Sequence, residues 1–415
     1  MEYTSIEDMA RAWNMTARNL QILCKSGKID GATRFGRAWM IPKDAAKPLD
    51  KRTRAAREAI LSNNKTVMPM PRNTPFLYMT DLYAKPGTAD ACAEALSDNA
   101  EAEALFRAEV AYSRGEIDKV YESANYLLTR HSSFYSIISA GMLLALCAIW
   151  RGDLSLWRRA KVHIAEAQAK NDNDRDIITL SLCAVDSMLY DVQGFPDWFK
   201  IGNFEKLHKD SLPAVKIYYA KYLYAEAFSI ATRQSALNGL QGLSLMGMLS
   251  YIIEPMISQA MADESIMSEI YLRMICATVY HNSGKDIEAI RHLDRAITLA
   301  LPDKLYGLLA EYSRVLDSLL ESRLECISKE ALVRVTKLHK VYNEGWARLG
   351  SAVRGRQIIS TLSKKEREVA KLAAFGMTNA EIAEKLHMSL SVVKQAIRVT
   401  TEKSGMSRDE FAAIL

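Results

Sequence analysis

Apolar positions recur with helical period over most of the chain. In "AEALFRAEVAYSRGEIDKVYESANYLLTR", Leu105, Ala108 and Ala111 share a face, Gly115 interrupts it, and Ile117, Val120, Tyr121 and Ala124 restart it. The same break returns in "AIWRGDLS" (148–155) and "VYHNSGKDIEAI" (279–290). Gly115 and Gly152 lie 37 residues apart, and Gly194 follows 42 later. Each is expected at a helix C-cap, where the chain must turn left-handed. A spacing of roughly 35–45 residues with two helices per unit predicts stacked helical hairpins, an α-solenoid, over 89–354.

The two ends carry a different pattern. Near the C-terminus, Leu362 precedes a capping box, Ser363-x-x-Glu366, and Val369, Leu372 and Ala373 supply an inner face. Gly376 ends that helix. Thr378-x-x-Glu381 opens a second, with Ile382, Ala383 and Leu386 inward, and Ser389 caps a third. There Val393 and Ile397 point inward, while Ser391, Lys394, Gln395 and Arg398 share the outer face. Such a helix buries its aliphatic side on two scaffold helices and presents donors outward, as reading a DNA major groove requires. Thr378 and Asn379 are expected to meet phosphate, helped by free N–H groups at the helix start.

At the N-terminus, Thr4-x-x-Glu7 predicts a cap and Ile6, Met9, Ala10 and Trp13 an inner face. Asn14 turns the chain. Thr16 caps a second helix, with Leu20 and Leu23 inward and Arg18, Asn19, Gln21 and Lys25 outward, ended by Gly27. "KIDGATRFGRAWMIP" then predicts a hairpin: Thr33–Phe35, a turn at Gly36-Arg37, and Ala38–Ile41 stopped by Pro42. Arg34 and Arg37 on this wing are expected at a DNA backbone or minor groove. Residues 49–88, first basic and then polar with Pro69, Pro71 and Pro75, predict a linker.

Charge sharpens this division. Residues 1–60 hold 12 Lys/Arg against 7 Asp/Glu, and residues 354–415 hold 11 against 7. The 293 residues between hold 31 against 35. Basic ends around an acidic middle favour polyanion contact at the ends. With 415 residues, 49% hydrophobic and 25% charged, a soluble protein of several domains is expected. No apolar run reaches the roughly 18 residues of a membrane span, so no membrane partner is expected. "SAGMLLALCAIW" (139–150), the most apolar stretch, is expected as a buried helix. The first residues carry acids and no hydrophobic core of a secretion signal. The six cysteines are scattered without C-x-x-C, which fits a reducing cytoplasm and suggests neither disulfides nor zinc.

Catalytic signals do not emerge. His131, His163, His208, His281, His292 and His339 form no H-x-x-x-H pair. "GATRFGRAW" has the wrong ending for a phosphate-binding loop, and Gly284-Lys285 lacks the upstream glycine. Neither G-x-S-x-G nor another catalytic constellation stands out. No enzyme activity and no cofactor are expected. Aromatics such as those of "KIYYAKYLYAEAF" (216–228) are expected chiefly in the core.

Residues from Thr361 to about Leu415 resemble the LuxR-type helix–turn–helix, through Leu362, Glu366, Arg367, Glu368, Val369, Gly376, Asn379, Glu381, Ile382, Ala383, Leu386, Ser389, Val393, Lys394 and Gly405. A sigma-factor region 4 has a similar pattern. The LuxR resemblance implies a bacterial transcription regulator, with Asn379, Lys394 and Gln395 at DNA. The sequence departs from that pattern in four places. His387 stands for a usual glycine and is expected to turn left-handed, Ala396 for a usual histidine, and Thr400 and Ser404 for usual aliphatics of a dimerising helix. Residues 1–48 resemble the winged helix–turn–helix of the MerR/excisionase-like class. "GKDIEAIRHLDRAITLALPDK" resembles the second helix of a tetratricopeptide repeat. The expected fold is therefore mostly α: a winged helix–turn–helix (1–48), a linker (49–88), a tetratricopeptide-like solenoid (89–354) and a LuxR-type four-helix DNA-binding domain (355–415). The expected partners are double-stranded DNA, RNA polymerase or another protein, an unidentified signal ligand on the solenoid, and a second copy of the chain. The competing reading is a non-enzymatic scaffold whose end domains bind proteins.

Overall fold

The computed structural model describes residues 3–13, 15–25, 29, 31–36, 38–43, 45, 83–130, 132–208, 211–354, 362–404 and 407–413. At 228–245, 317, 354, 364, 403–404, 410 and 412–413 the backbone alone is described. The chain is mostly α-helical and forms two compact units, residues 1–62 and 63–415. Asn14, Gly27, Arg37, His131, Gly405 and most of 49–88 fall outside the described residues.

In the first unit, β1 (Tyr3–Ser5) leads into α1 (Ile6–Ala12) and α2 (Ala17–Lys25), followed by β2 (Thr33–Phe35) and β3 (Ala38–Pro42). The sheet order is β1-β3-β2, antiparallel throughout. The expected cap is displaced by one residue. Thr4 pairs with Ile41 in the sheet, and Ser5 caps α1 by accepting from the Asp8 amide at 3.1 Å. β3 ends at Pro42 as expected, with Pro42 itself the last paired residue, opposite Tyr3, where a missing N–H costs little. Ile6, Met9, Ala10, Leu20, Cys24, Ile29 and Ile41 form the core.

The second unit stacks α3 (Ala89–Glu94), α4 (Ala100–Arg114), α5 (Ile117–Thr129), α6 (Phe134–Arg151), α7 (Leu154–Ala165), α8 (Asp172–Ser187), the short α9 (Asp197–Lys200), α10 (Leu212–Met248), α11 (Ser250–Ala262), α12 (Ile266–Asn282), α13 (Asp286–Ala300), α14 (Tyr306–Ile327) and α15 (Lys329–Arg354). Neighbours pack as antiparallel pairs, most extensively α12 on α13 and α14 on α15. Gly115 and Gly152 are left-handed C-caps as expected, with φ of 82° and 61°. Gly194 is not. The left-handed turn after α8 falls on Tyr190, at φ 60°. The 37-residue α10 also breaks the hairpin period. The apolar stretch around Leu144 is longer than the sequence suggested. α6 has 18 residues and is apolar enough to cross a membrane by length and composition, yet it is largely buried within the unit.

The stack does not run open. α14 and α15 return to pack on α4 and α6. A Cβ at Gly345 would lie 2.3 Å from the Ile149 and Trp150 carbonyl oxygens, and one at Gly307 2.6 Å from the Gly115 amide. Only glycine permits backbones this close. Asp303 ties the entry segment to the same seam. Its carboxylate accepts from the Tyr83 hydroxyl and the Gly87 amide, and from the Ala89 amide at 2.9 Å. Residues 83–88, which composition groups with the linker, are thus held against the turn at Leu301–Asp303. An aromatic cluster fills part of the core, with Phe195 stacked on Phe199 at 4.5 Å and Tyr219 and Tyr222 against them.

After the stack come α16 (Lys364–Ala374), α17 (Asn379–Lys385), α18 (Leu390–Ser404) and a terminal 3-10 turn (Arg408–Ala413), in place of the four helices expected. α16 packs on α18 and the terminal turn, and Val369, Ala370, Ile382, Val393 and Phe411 are fully covered.

Candidate nucleic-acid interface

The C-terminal three-helix group is built by local chemistry. Both capping boxes close fully. The Ser363 hydroxyl accepts from the Glu366 amide while Glu366 accepts from the Ser363 amide at 2.7 Å. The Thr378 hydroxyl accepts from the Glu381 amide while Glu381 accepts from the Thr378 amide at 2.6 Å. These backbone and side-chain bonds hold the Glu381 carboxyl below the usual carboxylate range. Gly376 (φ 81°) and His387 (φ 50°) make the turns before α17 and α18. The Ser389 hydroxyl accepts from the Val392 amide at 3.4 Å at the start of α18.

α18 then presents two faces. Val393 and Ala396 are buried, and Ile397 is half-buried against the same core. Ser391, Lys394, Gln395 and Arg398 are exposed on the other side. Arg398 donates to Gln395 Oε1 at 3.3 Å and pairs with Glu402 at 3.2 Å. Gln395 and Arg398 are therefore positioned by one another. Ser389 and Ser391 share a hydroxyl contact of 2.9 Å at the helix start.

The start of α17 differs from expectation. Two of its terminal N–H groups are taken by the capping box rather than left open. Glu381 adds a negative charge there, which opposes phosphate. Asn379 is half-buried and its carbonyl oxygen accepts from Arg408, which also donates to the Met377 carbonyl. Asn379 thus acts first as an internal brace. Thr400, where the resembled family carries an aliphatic, is buried within this domain, and its hydroxyl has no hydrogen-bond partner among the described residues. It is not on a free dimerising face.

The rear of this domain rests on the helical stack. Lys371 Nζ donates to the Val315 carbonyl at 2.9 Å, and the Ser318 hydroxyl to Glu368 at 2.6 Å. α18 keeps its polar face exposed while α16 makes these bonds.

In the first unit, Arg18, Asn19, Gln21 and Lys25 are all exposed on α2, and Thr16 accepts from the Asn19 amide at 3.3 Å as its cap. Arg34 is exposed on β2 and lies 5.9 Å from the Trp39 ring. Sequence reasoning missed β1, whose partners lie 35 to 39 residues away.

Among the described residues, Glu254, Cys276 and His292 bring possible metal-ligand atoms within 4.8 Å of one another. The set does not suit a cation. Arg273 and Arg291 face the two ring nitrogens of His292 at 3.4 and 3.3 Å, and burial pushes the Cys276 thiol up to about 12.

Residues 356–398 match the family model described as Sigma-70, region 4. Comparison with curated proteins and with solved structures finds no match. The match spans the two scaffold helices and the exposed face of α18 through Arg398. The C-terminal domain is a helix–turn–helix DNA-binding region of the kind found in sigma factors and LuxR-type regulators.

Proposed function

We propose that the chain is a bacterial, cytoplasmic, non-enzymatic transcription regulator of the LuxR type. α18 enters the major groove of duplex DNA with Ser391, Lys394, Gln395 and Arg398 toward the bases and Ser389 toward the backbone. The observation carrying this reading is the division of α18, aliphatic inward and polar outward, on a doubly capped scaffold. The helical stack serves as the sensing or docking body, and RNA polymerase or another protein is the target of the bound complex. The first unit acts as a winged helix–turn–helix, with Arg18, Asn19, Gln21, Lys25 and Arg34 near phosphate. Arg37 joins that set on sequence grounds alone.

Gel-shift against genomic DNA fragments, followed by footprinting and salt titration, tests this. Specific retardation whose affinity falls with salt is expected, with a slope near 0.9 per phosphate neutralised. Removing 1–48 should flatten that slope and shorten the footprint. If no fragment is retarded at low salt, the terminal domains bind proteins instead. If only the deletion has no effect, the first unit is reassigned to protein contacts.

A further inference from the structure

The stack holds a partly open cavity of about 100 Å³, room for several waters. Its wall is aromatic: Tyr112, Tyr224, Tyr312, Tyr342 and Trp346 come from four different helices and Tyr190 from the turn after α8. Three charged residues interrupt this wall, Lys221, Glu311 and Arg314. Lys221 has no acidic partner among the described residues. Its ammonium lies 5.1 Å from the Tyr271 ring, and burial alone pulls it down to about 8. Glu311 accepts from the Tyr112 hydroxyl, and burial pushes its carboxyl up to about 8. Burial thus disfavours the charged form of both groups. Arg314 stacks on Trp346 at 3.5 Å. Two cationic side chains face one carboxyl in this wall, and for Lys221 a counter-charge in reach would offset the cost of its burial.

Two further groups lack partners. The Tyr312 hydroxyl is buried without a hydrogen bond among the described residues. The buried Asn282, in the wall of an adjoining cavity, donates to Tyr224 at 2.9 Å, and its carbonyl oxygen has no partner among the described residues. Closely packed cores seldom leave a buried hydroxyl such as that of Tyr312 unpartnered at a cavity wall. Flat rings, a lone ammonium and an unspent hydroxyl together match a planar body bearing a carboxylate.

We propose that this cavity binds a small aromatic carboxylate, held by Lys221 and Arg314 between the rings, and that its occupancy sets how firmly the C-terminal domain is seated. The second part follows from shared walls. Tyr190, Tyr224, Arg314 and Val315 also line an adjoining cavity of about 80 Å³, whose far side is Arg367, Lys371, Phe375 and Lys385 of the helix–turn–helix domain. The Val315 carbonyl that Lys371 grips is one residue from the Arg314 that would grip the ligand. This deepens the sensing role proposed above, and it rests on the DNA-binding reading only for its consequence at DNA.

The test uses the full chain and a fixed panel: benzoate, 4-hydroxybenzoate, phenylpyruvate and indole-3-acetate, with benzamide and indole-3-acetamide as uncharged partners. Trp346 in the wall makes intrinsic fluorescence the readout, with thermal melting beside it. At least one carboxylate should change fluorescence saturably below about 10 mM and raise Tm, while its amide does not. Lys221→Met should weaken that binding about thirtyfold or more, and Lys221→Arg should restore part of it. Tyr312→Phe, which removes one hydroxyl, serves if Lys221→Met fails to fold, and should weaken binding severalfold. Bound carboxylate should also slow amide hydrogen exchange in α16. The proposal is overturned if no carboxylate binds, if an amide binds as well as its acid, or if Lys221→Met or Tyr312→Phe binds like the parent. Unchanged exchange in α16 removes the coupling. Because none of these readouts contains DNA, their failure is distinct from failure of the gel-shift.

Discussion

Lys371 Nζ, on the first helix of the C-terminal domain, donates to the carbonyl of Val315 in α14 at 2.9 Å. One charged hydrogen bond therefore spans the helical stack and the helix–turn–helix, with Ser318 to Glu368 beside it. Replacing Lys371 by Ala and Ser318 by Ala together should loosen this seat by about 2–4 kcal/mol. Hydrogen exchange in α16 should quicken while α12 and α13 stay protected. Equal protection of α16 in parent and variant would show that apolar packing alone holds the domain.

Lys394→Ala and Gln395→Ala should each reduce affinity for the specific site by about 1–3 kcal/mol. Nonspecific binding should change less, and circular dichroism should remain helical, because neither side chain is buried. Gln395→Ala carries an added effect, since it also frees Arg398 from its 3.3 Å bond. Specific affinity that survives both substitutions would move the reading face elsewhere.

His339 gives the stack a pH dependence. Its Nδ1–H donates to the Ala310 carbonyl at 3.2 Å, and burial holds its pKa down at about 4. The unfolded chain takes up a proton near pH 6.5, where the folded chain does not. Stability should therefore be full above pH 6.5 and fall as pH drops toward 4, by at most about 3 kcal/mol from this residue. Urea melts of the parent and of His339→Gln across pH 4–7 check this. Parallel pH curves for the two would assign the acid sensitivity to other groups.

Asp303→Ala strands the Tyr83 hydroxyl and the Gly87 and Ala89 amides. Tyr83 and Ala89 are buried whereas Gly87 is exposed, and each buried donor left unpaired costs about 1–3 kcal/mol, so Tm should fall by several degrees. Asp303→Asn keeps one acceptor and should fall between. A melt unchanged in Asp303→Ala would mean that water replaces the carboxylate.

His387 sits at φ 50°, a region costing a non-glycine residue about 1–2 kcal/mol. His387→Gly should raise the thermal stability of the C-terminal domain by about 1 kcal/mol or less, since glycine is freer when unfolded. The gain is visible by melting monitored on that domain. A loss would show that the exposed imidazole makes a compensating contact.

The C-terminal site was legible because its signals are local. Each capping box spans four residues, and Val393 and Ile397 reveal the inner face by spacing alone. The left-handed His387 could be anticipated from one substitution. Where signals compete, the sequence misleads. Thr4-x-x-Glu7 and Ser5-x-x-Asp8 are both plausible caps, and only the pairing of Thr4 with Ile41 decides between them. Gly194 fits the glycine spacing, but the turn falls on Tyr190 because α8 ends earlier than the period implies. The open start of α17 was misjudged because Glu381 closes it. The aromatic cavity left no trace at all. Tyr112, Lys221 and Tyr342 meet only through tertiary packing, and no period relates positions so far apart.

The glycine contact at Gly345 has a thermodynamic meaning for the whole stack. A linear array of hairpins has two loose ends and melts inward from either, one neighbour interface at a time. Here the last pair is the neighbour of the first. Fraying one end breaks the interface of the other as well, so partial unzipping gains little entropy for the contact it loses. The 89–354 region should therefore melt in a single cooperative step, as one ring rather than a row of repeats, and a bulky residue at 345 would give it back its ends.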